Sequence, residues 1–120
     1  MFLVGQGLYG KIKFVDGIIP QYDRAYLIVE VLTDSVGVLN VSSIAGKEHK
    51  LLFPTNKLIN KHYPPFLRRS FVKLDSLVYI TLAEASNARI LDNGTPLDQA
   101  ELYSILKAAK DVTNASGPMK

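Results

Sequence analysis

The chain has 120 residues, 48% hydrophobic and 21% charged, which is enough sequence for one domain with one core and too apolar for a disordered chain. It contains no cysteine, which excludes disulfides and thiolate metal sites, and no apolar run near the ~20 residues that span a bilayer. The net charge is only +3, but Lys47, Lys50, Lys57, Lys61, Arg68, Arg69 and Lys73 share one window with a single acid, Glu48. Such a window suits a polyanionic partner, or else is a solvated basic face. The N-terminus has no basic segment followed by a long apolar one, so a cytoplasmic protein with no membrane attachment is expected.

In chain order, Gly5, Gly7 and Gly10 argue against a regular strand over residues 1–10, with Phe2, Leu3 and Val4 as a possible edge segment. The sequence Lys11-Ile12-Lys13-Phe14-Val15 alternates and predicts a half-buried strand with Ile12 and Phe14 on one face. A loop with Gly17, Pro20 and Asp23 follows. Residues 24–32 are the longest β-favouring run, apolar on both faces except for Glu30, with Arg24 at the entrance. After the turn Thr33-Asp34-Ser35, a second strand runs to Ser43, with Val36, Val38 and Asn40 on one face and Leu39 and Val41 on the other.

Residues 45–50 read as an exposed polar loop, and Leu51-Leu52-Phe53 as a short apolar segment ended by Pro54. Thr55 to Phe66 reads as irregular because of its polar residues and Pro64-Pro65. Ser70–Asp75 and Leu77–Leu82 predict two strands with a bend at Asp75-Ser76, and Arg89–Leu91 a short one before the Asn93-Gly94 turn. The helix signal is at the C-terminus: Thr95 as N-cap, Pro96 at N1, Asp98 at N3, then Leu102, Ile105, Leu106, Ala109 and Val112 at helical spacing. The expected fold is mainly β with one or two helices: a curled sheet or partly open barrel of five to seven strands with a C-terminal α-helix, in a single domain over residues 1–112 with a flexible tail over 113–120.

Chemistry is sought among the cations. His49 and His62 lack the neighbours of a metal site, and Gly5-Gln6-Gly7-Leu8-Tyr9-Gly10 fits G-x-G-x-x-G by letters but lacks the preceding strand and following helix of a phosphate loop. There remain Arg24 beside Tyr22 and Asp23, and Arg68, Arg69 and Lys73 around Ser70 and Asp75. Arginines with the flat rings of Tyr22, Tyr63 and Phe66 near loops suit single-stranded RNA, although residues placed like Tyr63 and Phe66 are more often core or proline-stacking.

The order of these parts resembles the MazF/PemK (Kid) family of toxin endoribonucleases. Gly10-Lys11-Ile12-Lys13-Phe14-Val15-Asp16 is similar to the family's opening G-D/E-I/V-x-x-V/A-D/N, and Arg24-Ala25-Tyr26-Leu27-Ile28-Val29 to its R-P-x-L/V-V/I-I/V, with alanine in place of the proline. Val38–Ser43, Ser70-Phe71-Val72-Lys73-Leu74-Asp75-Ser76-Leu77 and Leu97–Leu102 are similar to the third-strand, S-x-V-x-x-D-x-L and helix-opening patterns. The resemblance covers roughly residues 10–112.

It implies an SH3-like barrel of the CcdB/PemK type and a cofactor-free, metal-independent endoribonuclease of a type II toxin-antitoxin system. Its expected partners are single-stranded RNA, an antitoxin protein and a second copy of the chain. The products would be a 2′,3′-cyclic phosphate and a 5′-hydroxyl. The implied catalytic residues are Arg24, Asp75 and, where the family usually has threonine, Ser43. RNA-binding candidates are Tyr22, Lys47, Lys50, Lys57, Lys61, His62, Arg68, Arg69, Ser70 and Lys73. The alternative is a non-catalytic module of the same fold that binds RNA or a protein.

Overall fold

The computed structural model describes residues 1–59, 62 and 64–116, the last four of these by backbone alone; Lys61 and Tyr63 lie outside the described residues. The architecture is mainly β, an antiparallel seven-stranded sheet that does not close into a barrel, with one long C-terminal helix. The strands are β1 (Gly7–Gly10), β2 (Arg24–Val31), β3 (Ser35–Ser43), β4 (Asn56–Ile59), β5 (Ser70–Lys73), β6 (Val78–Thr81) and β7 (Arg89–Ile90). The helices are α1 (Leu82–Asn87) and α2 (Gln99–Ser116), and 3-10 turns cover Glu48–Leu52 and Leu91–Gly94.

The sheet runs β4-β5-β3-β2-β1-β7, and β6 also pairs with β3. One edge of β3 is thus shared: Val41, Ser42 and Ser43 pair with β5, and Ser35 to Val38 pair with β6. On its other edge β3 pairs with β2, where the register steps between Ile28–Val38 and Glu30–Gly37 and leaves Val29 as a bulge. A bulge sharpens strand twist.

The predicted strand 24–32 is a central strand, and its two faces enter two cores. Leu27 packs with Leu39, Val41, Ile59, Phe66, Val72, Leu74, Leu97 and Ile105 under α2. Tyr26 and Ile28 pack with Leu8, Ile12, Val36, Val38, Ile80 and Ala85 under α1. This is why the run shows no alternation of polar and apolar residues. A fully buried leucine such as Leu27 contributes roughly 1.5–3 kcal/mol relative to an exposed one. Phe66 belongs to the core.

Four local expectations are corrected. First, the N-terminal strand is Gly7–Gly10, and residues 11–15 lie outside any strand. Glycine is required there by close approach: a Cβ on Gly7 would stand 2.9 Å from Pro65 Cγ and 3.1 Å from Leu91 Cδ1. Ile12 is nevertheless buried, and its carbonyl accepts a hydrogen bond from the Tyr26 hydroxyl at 3.0 Å. Second, β4 forms inside the stretch that composition marked as irregular, because Asn56–Ile59 gains its partners from Ser70–Lys73, far along the chain. Third, α1 has a full capping box at Thr81 and Glu84, a T-x-x-E signal masked by the β-favouring residues before it. Fourth, the cap of α2 is Asp98, whose carboxylate accepts from the amides of Ala100 and Glu101 at 3.1 and 3.2 Å, and Thr95 instead ends the second 3-10 turn. α2 extends to Ser116, with Leu102, Ala109 and Val112 packed on the core.

Candidate nucleic-acid interface

The ladder that makes β2 central also fixes Arg24. It is the first residue of β2, opposite Gly10 of β1. Its guanidinium lies over the Phe14 ring, 5.5 Å from the centroid, and its Nε is buried with no hydrogen-bond partner among the described residues. Arginine suits such a place because its delocalised charge stacks on aromatic rings and leaves its remaining N–H groups in a planar fork. At the same end of the sheet, Ser43 closes the neighbouring strand β3 opposite Ser70.

These ends meet at one open cavity of about 470 Å³. Arg24, Ser43, Lys47, Arg68 and Ser70 line it, together with Tyr9, Asp23, Ser42 and Arg89. Lys47 is held toward the sheet by a hydrogen bond from Nζ to Ser42 Oγ at 3.0 Å. Ser70 is buried, and its hydroxyl donates to the Arg68 carbonyl at 2.8 Å, so it supports the rim. Four cations, Arg24, Lys47, Arg68 and Arg89, thus face one lining carboxylate, the exposed Asp23. An open cavity of this charge and shape attracts a flexible anion.

Sequence reasoning missed Arg89, Tyr9 and Asp23 as lining residues. Arg89 reaches the cavity because β7 pairs with β1, which sets Arg89 opposite Tyr9 and its guanidinium 5.2 Å from the tyrosine ring centroid. No local pattern signals that pairing, since β7 has only two residues.

The other candidates lie elsewhere. Asp75 lines a second hollow of about 350 Å³ with Lys13, Phe14, Tyr26, Asn40 and Ser76, so it does not share the Arg24–Ser43 cavity. Lys57 is on the edge strand β4, opposite Val72. Tyr22 and His62 are exposed and line neither hollow. Arg69 is exposed, and its carbonyl accepts from the Ile44 amide at 3.1 Å. Lys50 lies on the first 3-10 turn and Lys73 at the end of β5. Lys73 is half-buried; burial first, then the like charges of Lys50, Arg24 and Lys47, hold its ammonium below the usual lysine pKa, with Asp75 opposing.

Among the described residues no three His, Cys, Asp or Glu side chains cluster as metal ligands, and no helix is long and apolar enough to cross a membrane. No family model matches the chain, and no curated protein matches its sequence.

Proposed function

We propose that this protein is a MazF/PemK-like endoribonuclease that cuts single-stranded RNA without a metal ion. One observation carries the reading: Arg24 and Ser43, two of the three residues that the resemblance marks as catalytic, line the same open cavity with Lys47, Arg68 and Arg89. The chemistry suits these groups. The ribose 2′-oxygen attacks the adjacent phosphorus as its proton leaves for an acceptor. The bond from phosphorus to the 5′-oxygen breaks, and that oxygen takes up a proton. Arg24 stabilises the charge that develops on the phosphoryl oxygens, and Ser43 orients the phosphate or the 2′-hydroxyl. Asp75 lies in the other hollow, which leaves Asp23 as the lining carboxylate able to accept a proton. An antitoxin that covers the groove and pairing with a second copy of the chain are further parts of this reading.

The test is purified protein with mixed single-stranded RNA in EDTA, read by product sizes and end groups. Cleavage to 2′,3′-cyclic phosphates that Arg24→Ala lowers at least ~100-fold supports the reading, a loss in the range seen when one transition-state charge partner is removed. Intact RNA with the unaltered protein rules out cleavage. A second reading, binding without cutting, is favoured by the cavity lining itself, which holds no histidine and only an exposed carboxylate. Salt-sensitive RNA binding with no product would select it.

A further inference from the structure

We propose that Arg24, Lys47, Lys50 and Lys73 form a second phosphate-binding site, on the sheet face that carries Ser42, so that the bound strand is held at two phosphate positions in tandem. The inference rests on the reading that the cavity takes RNA, and it extends that reading to the minimal ligand, which becomes an oligonucleotide and not a single nucleotide.

The fold builds this cluster from three separate segments. Ala25 pairs with Val41, so one step further along the ladder Arg24 adjoins Ser42. Ser42 pairs with Phe71, and strand alternation puts Lys73 on the same face as Phe71. Ser42 Oγ in turn accepts from Lys47 Nζ at 3.0 Å. Lys47 precedes the 3-10 turn that contains Lys50, and the Lys50 amide donates to the Lys47 carbonyl at 2.9 Å. Lys47 and Lys50 both act on Lys73 as like charges. Asn56 completes the frame: it pairs with Lys73 across β4 and β5, and its Nδ2 donates to the Lys50 carbonyl at 2.9 Å. Three hydrogen bonds and three strand ladders therefore bring like charges together.

Such a cluster is costly without an anion. Among the described residues no carboxylate forms an ion pair with any of the four, and Asp75 is the one acid whose field opposes the others at Lys73. Arg24 adds a buried Nε without a partner. A solvated basic face spreads its charges outward, whereas here a half-buried lysine lies within the field of three other cations. Phosphate oxygens would supply acceptors for the fork of Arg24 and for three ammonium groups. Because Arg24 and Lys47 also line the cavity with Arg68 and Arg89, the two sites are contiguous. A strand entering past Arg89 and Arg68 would meet the Arg24–Lys47 pair and continue toward Lys50 and Lys73.

The experiment compares the unaltered protein with Lys50→Gln/Lys73→Gln, and with Lys50→Gln alone, on the 3-10 turn, as a variant that spares the sheet. One arm measures the melting temperature in inorganic phosphate and pyrophosphate against chloride of equal ionic strength. The other measures binding of labelled single-stranded RNA, two to eight nucleotides long, by anisotropy over a range of salt. The expected result is a phosphate-specific rise in melting temperature that the double variant loses. With longer RNA, the log–log salt slope of the double variant becomes shallower by about 1.4, or about 0.7 for each of two single-strand phosphates that the variant no longer neutralises. RNA binding with the same slope in both proteins overturns the second site and leaves the RNA reading standing. A phosphate-specific rise that the variant loses, with no RNA binding by the unaltered protein, keeps the site as one for small phosphates and overturns the RNA reading. Neither effect in the unaltered protein overturns both.

Discussion

The Arg24 guanidinium lies over the Phe14 ring, 5.5 Å from its centroid, although Phe14 belongs to no strand. The ring takes up one face of the arginine and leaves the planar fork able to bind at the cavity. Phe14→Ala removes this support without touching either core. The expected outcome is RNA affinity or cleavage lowered by about 2–5-fold, the equivalent of ~0.5–1 kcal/mol for an exposed cation–π contact, with the melting temperature little changed. An equal loss in Arg24→Ala and in Phe14→Ala/Arg24→Ala would identify the stack as the route of the effect.

Lys73 sits among like charges, and its lowered pKa has a definite consequence for stability. Below the usual lysine pKa of ~10.4, the unfolded chain holds a proton that folded Lys73 binds less readily. Stability therefore rises with pH as the range up to that value is crossed. At neutral pH and low salt, Lys73→Gln should melt higher than the unaltered protein, and added salt should narrow the difference. A lower melting temperature for the variant at every salt concentration would contradict this account.

Tyr26 acts in the opposite sense. Burial raises the pKa of its phenol above the usual 10, while its hydroxyl donates to the Ile12 carbonyl at 3.0 Å. The folded state keeps a proton that the unfolded chain releases, so this contribution is complete below pH ~10 and is lost as pH rises above it. Tyr26→Phe should remove that alkaline loss and, by leaving the Ile12 carbonyl without its donor, destabilise the fold at neutral pH by about 1 kcal/mol. Urea melts at neutral and alkaline pH measure both.

The start of α2 separates Asp98 from Thr95. Asp98→Ala leaves the first amides of α2 without their acceptor and should cost about 1 kcal/mol, or about 3–6 °C in a domain of this size. Thr95→Ala should stay within about 0.5 kcal/mol, the range of an ordinary surface change. Thermal unfolding followed by circular dichroism tests both; equal losses would contradict a cap at Asp98.

Gly7 is a matter of space. Gly7→Ala sets a methyl group against Pro65, Leu91 and Phe66, the nearest atom at 2.9 Å, and overpacking of this kind costs about 1–3 kcal/mol. Because Leu91 and Phe66 also line the cavity, RNA binding should fall with stability. Gly17→Ala makes a useful comparison: its Cβ would meet no atom within 4 Å, so its cost comes from the positive φ of 87° alone.

The sequence by itself determined the mainly β class, the central strand at Arg24, the two-faced pattern of β3, the bend at Asp75-Ser76 and the amphipathic C-terminal helix. Each is written in local residue order, as continuous apolar burial, alternation or helical spacing. It also placed Arg24 and Ser43 at strand ends, where side chains escape the core. Only the tertiary structure decided which of these residues meet. Asp75 follows the same strand as Lys73, yet the turn after β5 takes it into the hollow with Lys13 and Asn40. Arg89 and Tyr9, far apart in the chain, come together because β7 pairs with β1. The glycines of β1 argued against a strand, and long-range contact with Pro65, Leu91 and Phe66 reversed that preference. Local propensity amounts to tenths of a kcal/mol per residue, whereas a buried neighbour contributes one or more. Where the two compete, packing determines the position, and the cavity is assembled from such positions.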